Sequence, residues 1–196
     1  AQSVSNIAWA LGTCELLQQE EAHAPARAFL CDAMASAQRQ LQGYAPQAVA
    51  NLIWAAARLI SPRGSPEQGE WDVVEVFSAA VARHATLQML DYSWRDLAGI
   101  SVALAYMRPP ARETWTFMTL VVGRAAAHCF DLSPQMLLNI ARAAVRLELP
   151  AESVQGLVDA IAHCIGVRHL QLNDADRRQW QEVVAWCPPR YVPGWG

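Results

Sequence analysis

The chain has 196 residues, 53% of them hydrophobic, and a formal net charge of -3. This length can bury a substantial core, either as one domain or as a short array of repeats. Because the net charge is small, the chain as a whole does not produce a strong electrostatic field that would attract or repel nucleic acid. All 15 basic residues are arginine, which reflects either a biased codon usage or the fit of a planar guanidinium to phosphate and base edges.

The cysteine content and the hydropathy limit the cellular compartments in which we expect the protein. The five cysteines are widely spaced and form no C-x-x-C pair, which fits a reducing compartment such as cytosol, mitochondrial matrix or plastid stroma. No uncharged apolar run approaches the length that crosses a bilayer, so we expect no membrane insertion. The chain starts without Met and inside a repeat, and we expect a mature or truncated piece whose targeting peptide would not be visible.

Four stretches of the chain share one pattern without internal gaps: Val4–Cys14, Tyr44–Leu59, Tyr92–Met107 and Leu132–Leu147. Their equivalent positions are 45, 48 and 40 residues apart, and self-similarity at such a period is typical of stacked helical arrays. Apolar residues recur at helical spacing in each stretch and predict one buried face. This core face consists of Val4, Ile7, Ala8, Leu11, Cys14; Val49, Leu52, Ile53, Ala56, Leu59; Leu97, Ile100, Ser101, Leu104, Met107; and Leu137, Ile140, Ala141, Ala144, Leu147.

Second helices are predicted between these first helices, at about 25–42, 68–88, 111–129 and 150–167. Three of them begin near a proline, as helices often do: Pro25, Pro110 and Pro150. The Pro-, Gly- and Ser-containing run at 61–70 is typical of a solvent-exposed loop.

The end of the chain departs from the pattern. A last helix at about 173–186 is predicted either to begin a degenerate fifth repeat or to cap the array. The Pro-rich run at 188–196 cannot be helical, so we expect it to lie on a neighbouring helix.

The pattern therefore predicts an all-α fold, since period-two alternation and hairpin dipeptides are missing. The expected architecture is a right-handed α-α superhelix, or solenoid, of about four helix-turn-helix repeats of roughly 40–48 residues. The predicted boundaries are one domain at 1–187, with repeats at about 1–43, 44–91, 92–131 and 132–171 and a capping helix at 172–187, followed by an irregular tail at 188–196.

Opposite the core face, steps of four, three and four residues align a second row of side chains on each first helix. We call this row the stripe. Its members are Gln2, Asn6, Trp9, Thr13; Gln47, Asn51, Trp54, Arg58; Arg95, Gly99, Val102, Tyr106; and Gln135, Asn139, Arg142, Arg146. Amides and guanidiniums can contact base edges, and aromatic rings can stack on unpaired bases. Stacked repeats would place one such cluster beside the next, as a single-stranded nucleic acid requires.

Packing is the alternative role for the same side chains. The asparagines would then bond a backbone carbonyl of the neighbouring helix, and Trp9 and Trp54 would fill the groove between successive repeats. Arg58, Arg142 and Arg146 would contact either a phosphate or only solvent.

No catalytic residue, metal ligand or cofactor site is predicted. His128-Cys129 and His163-Cys164 form a matched pair, but adjacent helical residues point about 100° apart and do not make a chelating face. No Gly-rich phosphate loop, H-E-x-x-H motif or nucleophile elbow is present. We therefore expect a binding protein without a small-molecule substrate rather than an enzyme.

The segment PQAVANLIWAAARL at Pro46–Leu59 resembles the first helix of octotricopeptide repeats, which have an L-A-N-x-x-W-A-L-A-K-L core and a period near 38. Asn6–Leu11 is a second match, whereas the copies at 96–107 and 134–147 keep the apolar pattern and lose the Trp. The resemblance covers about 150 residues. Related repeats occur in proteins that end in a RAP domain, for which this sequence shows no counterpart.

The resemblance implies an α-solenoid of mitochondria or chloroplasts, with the mitochondrial matrix favoured over the stroma. Such proteins bind particular RNAs and support their stability, processing or translation, and some have become structural subunits of organellar ribosomes. The irregular spacing, the degenerate later copies and the acidic balance favour a scaffold with relaxed RNA selectivity.

Three functions follow as hypotheses. The first is binding of single-stranded or ribosomal RNA through Gln47, Asn51, Trp54, Arg58, Arg95, Tyr106, Gln135, Asn139, Arg142 and Arg146. The second is an accessory scaffold subunit of an organellar ribosome or another large complex, held mainly by protein contacts. The third is a scaffold of the HEAT or armadillo type outside organelles, without RNA.

Overall fold

The computed structural model describes residues 2–13, 20–60, 68–168 and 172–190, and all regular structure in these ranges is helical. The helices are α1 Gln2–Thr13, α2 Glu20–Gln38, α3 Pro46–Leu59, α4 Gln68–Leu87, α5 Trp94–Met107, α6 Arg112–Ala127, α7 Pro134–Arg146, α8 Ala151–Arg168 and α9 Asp174–Trp186, with a short 3-10 helix at Leu41–Gly43. The predicted all-α class is confirmed.

The chain divides into two compact units, Ala1–Phe117 and Met118–Gly196. In the first unit α3 lies between α1 and α5, while α2 packs against α4 and against α3. First helices therefore form one layer and second helices another, which is the serial packing of an α-α solenoid.

The second unit repeats this arrangement with fewer helices. Here α7 packs against both α8 and α9, and α8 also contacts α9. The last helix, α9, is therefore the packing neighbour of α7, as α5 is the packing neighbour of α3 in the first unit. The predicted helix-pair packing is confirmed within each unit.

The core face was predicted correctly on three of the four first helices. All of its residues on α3, α5 and α7 are buried, and so is Ala8 on α1. Ile7, however, is 50% exposed. Since α1 packs mainly on α3, the described residues cover only about half of Ile7. Cys14 lies outside the described residues.

Local signals begin and end the first helices. Ser93 and Asp96 form a capping box at the start of α5, and Ser133 accepts a hydrogen bond from the Met136 N–H at the start of α7. After these two helices the chain turns through left-handed residues, Arg108 with φ 48° and Glu148 with φ 56°. Prolines follow shortly after each turn and prevent the helix from continuing.

The second helices differ in detail from their predicted bounds. The largest difference is at α2, which begins at Glu20 and contains Pro25 inside the helix. Only one intrahelical hydrogen bond is lost there, because proline lacks the N–H, so the proline did not mark the start. The predicted solvent loop at 61–70 falls mostly outside the described residues, and Gln68 already belongs to α4.

The described part of the C-terminal tail is irregular and contacts α8. The backbone N–H of Arg190 donates to Asp159 Oδ1 at 2.7 Å, and Gln155 Nε2 donates to the Pro188 carbonyl at 3.1 Å. The expectation that the run lies on a neighbouring helix therefore holds for 188–190. Residues 191–196 lie outside the described part.

Ion pairs join the second helices of the first unit. Arg27 on α2 pairs with Glu70 on α4, and Arg83 on α4 pairs with Glu113 on α6 at 2.9 Å. Among the described helices, none combines the length and the apolar character that crossing a membrane requires.

Candidate nucleic-acid interface

On α3 the stripe lies at the surface. Gln47 and Arg58 are exposed, whereas Asn51 and Trp54 are half-buried. The guanidinium carbon of Arg58 lies 5.7 Å from the centroid of the Trp54 ring, within the range of a cation–π contact. The pair forms a flat surface of a kind on which an unpaired base can stack.

Trp54 also has a packing role. A Cβ added at Gly12 of α1 would lie 3.0 Å from Cζ3 of Trp54, so the indole covers the glycine. Trp54 therefore fills part of the groove between α1 and α3 and leaves the rest of its ring at the surface. The packing interpretation therefore holds for Trp54, and the interpretation as a stacking surface stays a prediction.

The asparagine positions do not show the packing bond considered from sequence. Within the described ranges no hydrogen bond joins Asn51 or Asn139 to the backbone of a neighbouring helix. Both side chains are half-buried, and their amides keep the capacity to donate and accept.

On α5 the stripe carries Arg95 and Tyr106 at its two ends. Arg95 is exposed and Tyr106 is 48% exposed, with half-buried Gly99 and Val102 between them. No carboxylate of the described chain forms an ion pair with Arg95, and the same holds for Arg58. Because α3 packs directly against α5, two exposed cations lie on adjacent helices of one layer.

On α1 the four stripe residues are all exposed. Gln2 Nε2 donates to Asn6 Oδ1 at 3.0 Å, and the Thr13 hydroxyl donates to the carbonyls of its own helix. Trp9 is 48% exposed. This ring therefore does not fill a groove between described helices, in contrast to Trp54.

Residues at equivalent positions of the repeats on α3, α5 and α7 have similar side-chain burial. The order of buried, half-buried and exposed residues is the same at 92–104 and at 132–144. The first stripe position is exposed in α3, α5 and α7, and the second and third are half-buried in all three. The sequence alignment of the second, third and fourth copies is therefore structurally correct.

On α7 the two stripe arginines pair with a carboxylate of α9. Arg142 Nε donates to Glu182 Oε2 at 2.6 Å, and Arg146 Nε donates to Oε1 of the same carboxylate at 3.2 Å. Burial alone would raise the pKa of Glu182, but the hydrogen bonds from the two arginines outweigh it and hold this pKa below its ordinary value. The carboxylate is therefore ionised at neutral pH and satisfies both cations.

Glu182 was missed by sequence reasoning, although a signal was available. It follows Arg142 by 40 residues, which is the interval that separates Gly99 from Asn139. Extending the register by one more repeat places Glu182 on the stripe of α9. Because the sequence predicts α9 only as a degenerate fifth repeat or a cap, the expected stripe ends at α7.

A groove lies on the second-helix side of the first unit. Its volume is about 860 Å³, and residues of α4, the end of α2 and the start of α6 line it. Exposed Val76 and Leu87 are among them, and Leu90 nearby is 85% exposed. This surface belongs to the second-helix layer and carries no stripe residue.

His84, which borders this groove, is buried in α4. Its Nδ1 lies 2.8 Å from the Tyr92 hydroxyl, and its Nε2 has no hydrogen-bond partner among the described residues. Burial lowers the pKa of His84 and, followed by Asp96 and Asp91, raises that of Tyr92 above its ordinary range. The pair is therefore a neutral hydrogen bond that joins α4 to the turn before α5.

The matched His-Cys dipeptides do not form a metal site in the part of the chain that the structure describes, where no group of three His, Cys, Asp or Glu has suitable geometry. His163 packs edge-on against Phe130 with ring centroids 5.9 Å apart. Cys129 and Cys164 are buried thiols.

Comparison with known proteins adds no relative: no family model, no curated protein and no solved structure matches this chain.

Proposed function

We propose that this protein is an organellar helical-repeat protein that binds single-stranded RNA through the stripe of its first unit. The observation that carries the proposal is the row of exposed Gln47, Arg58 and Arg95 on adjacent helices α3 and α5. Neither arginine pairs with a carboxylate of the described chain. The resemblance to octotricopeptide repeats supports the organellar setting, with the mitochondrial matrix favoured.

Each stripe residue has a role that fits its chemistry. A base stacks on the Trp54 and Arg58 pair, because every base offers a π-face to such a surface. The amides of Gln47 and Asn51 contact base edges, and Arg95 contacts phosphate. The expected activity is support of RNA stability, processing or translation, without catalysis.

The test is a salt titration of binding to a labelled oligouridylate, comparing the wild type with an Arg58→Gln, Arg95→Gln double variant. Each phosphate contact on a single strand contributes about 0.7 to the slope of log affinity against log salt. The double variant should therefore bind more weakly, with a slope smaller by about 0.7 for the lost Arg95 contact, while the loss of Arg58 weakens base stacking.

The matched control is an Arg39→Gln, Arg112→Gln double variant. Both arginines are exposed and belong to the first unit, but neither lies on a first helix. The charge change is the same, so affinity and slope should stay close to those of the wild type. An equal loss in both double variants, or no binding by the wild type at low salt, would contradict the proposal.

A scaffold subunit of an organellar ribosome is the second candidate, favoured by the apolar side chains that border the groove on α4. Leu87 is 78% exposed and Val76 is 50% exposed, and exposed apolar residues in a groove are typical of protein contacts. This function predicts co-sedimentation with a large organellar particle. Val76→Glu and Leu87→Glu should release the protein from that particle, whereas the Arg58→Gln, Arg95→Gln variant should remain bound.

A further inference from the structure

The stripe continues onto α9 with the opposite charge. At the register of Asn139, Arg142 and Arg146, α9 carries Gln179, Glu182 and Trp186, each 40 residues later. Since α9 packs directly on α7, the acidic side chain lies beside the two arginines. Of the stripe positions on α9, Gln179 keeps an amide, Glu182 reverses the charge of Arg142, and Trp186 replaces Arg146 by an uncharged residue.

Arg142 and Arg146 together form a site for an anion, and the Glu182 carboxylate already occupies it. Each carboxylate oxygen of Glu182 accepts from a different arginine, at 2.6 Å and 3.2 Å. Two oxygens of one phosphate could accept from the same pair of donors. The side chains of Arg142, Arg146 and Glu182 are 28%, 29% and 38% exposed, so an external anion can reach the site and compete for it.

We propose that Glu182 is an internal competitor for RNA phosphate, which holds Arg142 and Arg146 away from RNA. The proposal rests on the function proposed above, because it concerns the same kind of stripe. In the wild type, RNA contacts are then limited to the first unit. Neutralising Glu182 makes the two arginines of α7 available to a phosphate.

The decisive variant is Glu182→Gln, which keeps the size of the side chain and removes its charge. Binding to the same labelled oligouridylate should become roughly three- to tenfold tighter at low salt. The salt slope should steepen by about 0.7 to 1.4, according to whether one or two phosphates are engaged. A purely structural role for Glu182 would change neither quantity in this direction.

The matched control is Asp174→Asn, which removes one negative charge from the same helix. Asp174 is 86% exposed, and it pairs with Arg177 on α9 rather than with an arginine of α7. Its replacement should leave affinity and slope unchanged. An equal gain in both variants would show a general charge effect and would overturn the proposal.

A second pair of variants tests the arginines without touching Glu182. Arg142→Gln with Arg146→Gln should leave wild-type affinity unchanged, because these residues do not contact RNA while Glu182 holds them. The same two changes made in the Glu182→Gln protein should abolish its gain. Weaker binding of the arginine double variant in the wild-type background would overturn the proposal, since the arginines would already be in contact with RNA.

The outcomes separate this proposal from the one on which it rests. If the wild type binds and loses affinity with Arg58→Gln and Arg95→Gln, but Glu182→Gln gains nothing, only the competition is wrong. If none of these proteins binds, the RNA-binding function itself is wrong. Thermal unfolding of each variant, followed alongside, identifies any change that comes from loss of the fold.

Discussion

At the scale of single residues, two glycines of the first helices have opposite surroundings. A Cβ at Gly12 would lie 3.0 Å from Cζ3 of Trp54 and 3.1 Å from the Cα of Ala55. A Cβ at Gly99 would meet nothing within 4 Å. The absence of a side chain is therefore required at the first position and not at the second.

We predict opposite effects of alanine at these two positions. Gly99→Ala should stabilise the protein by about 0.5–1 kcal/mol, because it lowers the entropy lost in forming the helix. Gly12→Ala should destabilise it on balance, since crowding costs about 1–3 kcal/mol and the Ala55 backbone cannot move aside easily. Urea unfolding measures both. Equal stabilisation by the two changes would mean that α1 and α3 do not approach closely at Gly12.

Individual residues also show how much of the candidate site could be predicted from the sequence. Gln47, Arg58 and Arg95 are exposed as expected, because helical periodicity identifies the face opposite the core. The engagement of Arg142 and Arg146 by Glu182 depends on a contact between residues 36 and 40 positions apart. Spacing within one helix cannot show such a contact, and only the register between repeats indicates it.

At the scale of helices, the periodic signal was sufficient for the first helices and weaker for the second. The predicted core face is buried throughout α3, α5 and α7, since each of these helices has one neighbour layer that fixes its orientation. The start of α2 was misplaced because the helix begins at Glu20 and continues through Pro25, although an interior proline removes one helical hydrogen bond. The ion pairs between second helices join residues whose pairing no local pattern specifies.

The capping residues allow a prediction at this scale. Ser93 Oγ accepts from the Asp96 N–H at 3.2 Å, and the Asp96 carboxylate accepts from the Ser93 N–H at 3.3 Å. Ser93→Ala should therefore lower the free energy of unfolding by about 1 kcal/mol, whereas Ser93→Gly should cost only a few tenths. Thermal or urea unfolding distinguishes them.

Ser133→Ala on α7 provides the comparison. Its hydroxyl makes the same bond to the Met136 N–H at 3.3 Å, but methionine cannot complete a capping box. We expect a loss no larger than that of Ser93→Ala. If neither alanine variant is less stable than the wild type, the caps do not contribute to the helix starts.

At the scale of the whole molecule, the charge of -3 makes non-specific attraction to nucleic acid weak. The proposed binding of RNA would then come from local groups, of which the Trp54 and Arg58 pair is one. A duplex keeps its bases paired and stacked, and offers no base face to this surface.

We therefore predict a preference for single strands. A labelled single-stranded oligonucleotide bound to the protein should be displaced by an unlabelled strand of the same sequence and much less by the corresponding duplex. Anisotropy competition at one fixed salt concentration measures this. Equal displacement by the two competitors would indicate that binding uses phosphate alone, and the role of Trp54 would then be packing only.

The shared carboxylate of Glu182 has a consequence for how helical arrays evolve. One acidic side chain at a stripe register satisfies the cations of the preceding helix. Under the proposed RNA-binding function, a single substitution there would change the number of nucleotides that the array covers. The number of repeats and the number of nucleotides covered could then change independently. A lineage could change what its protein reads while the count of helices stays constant.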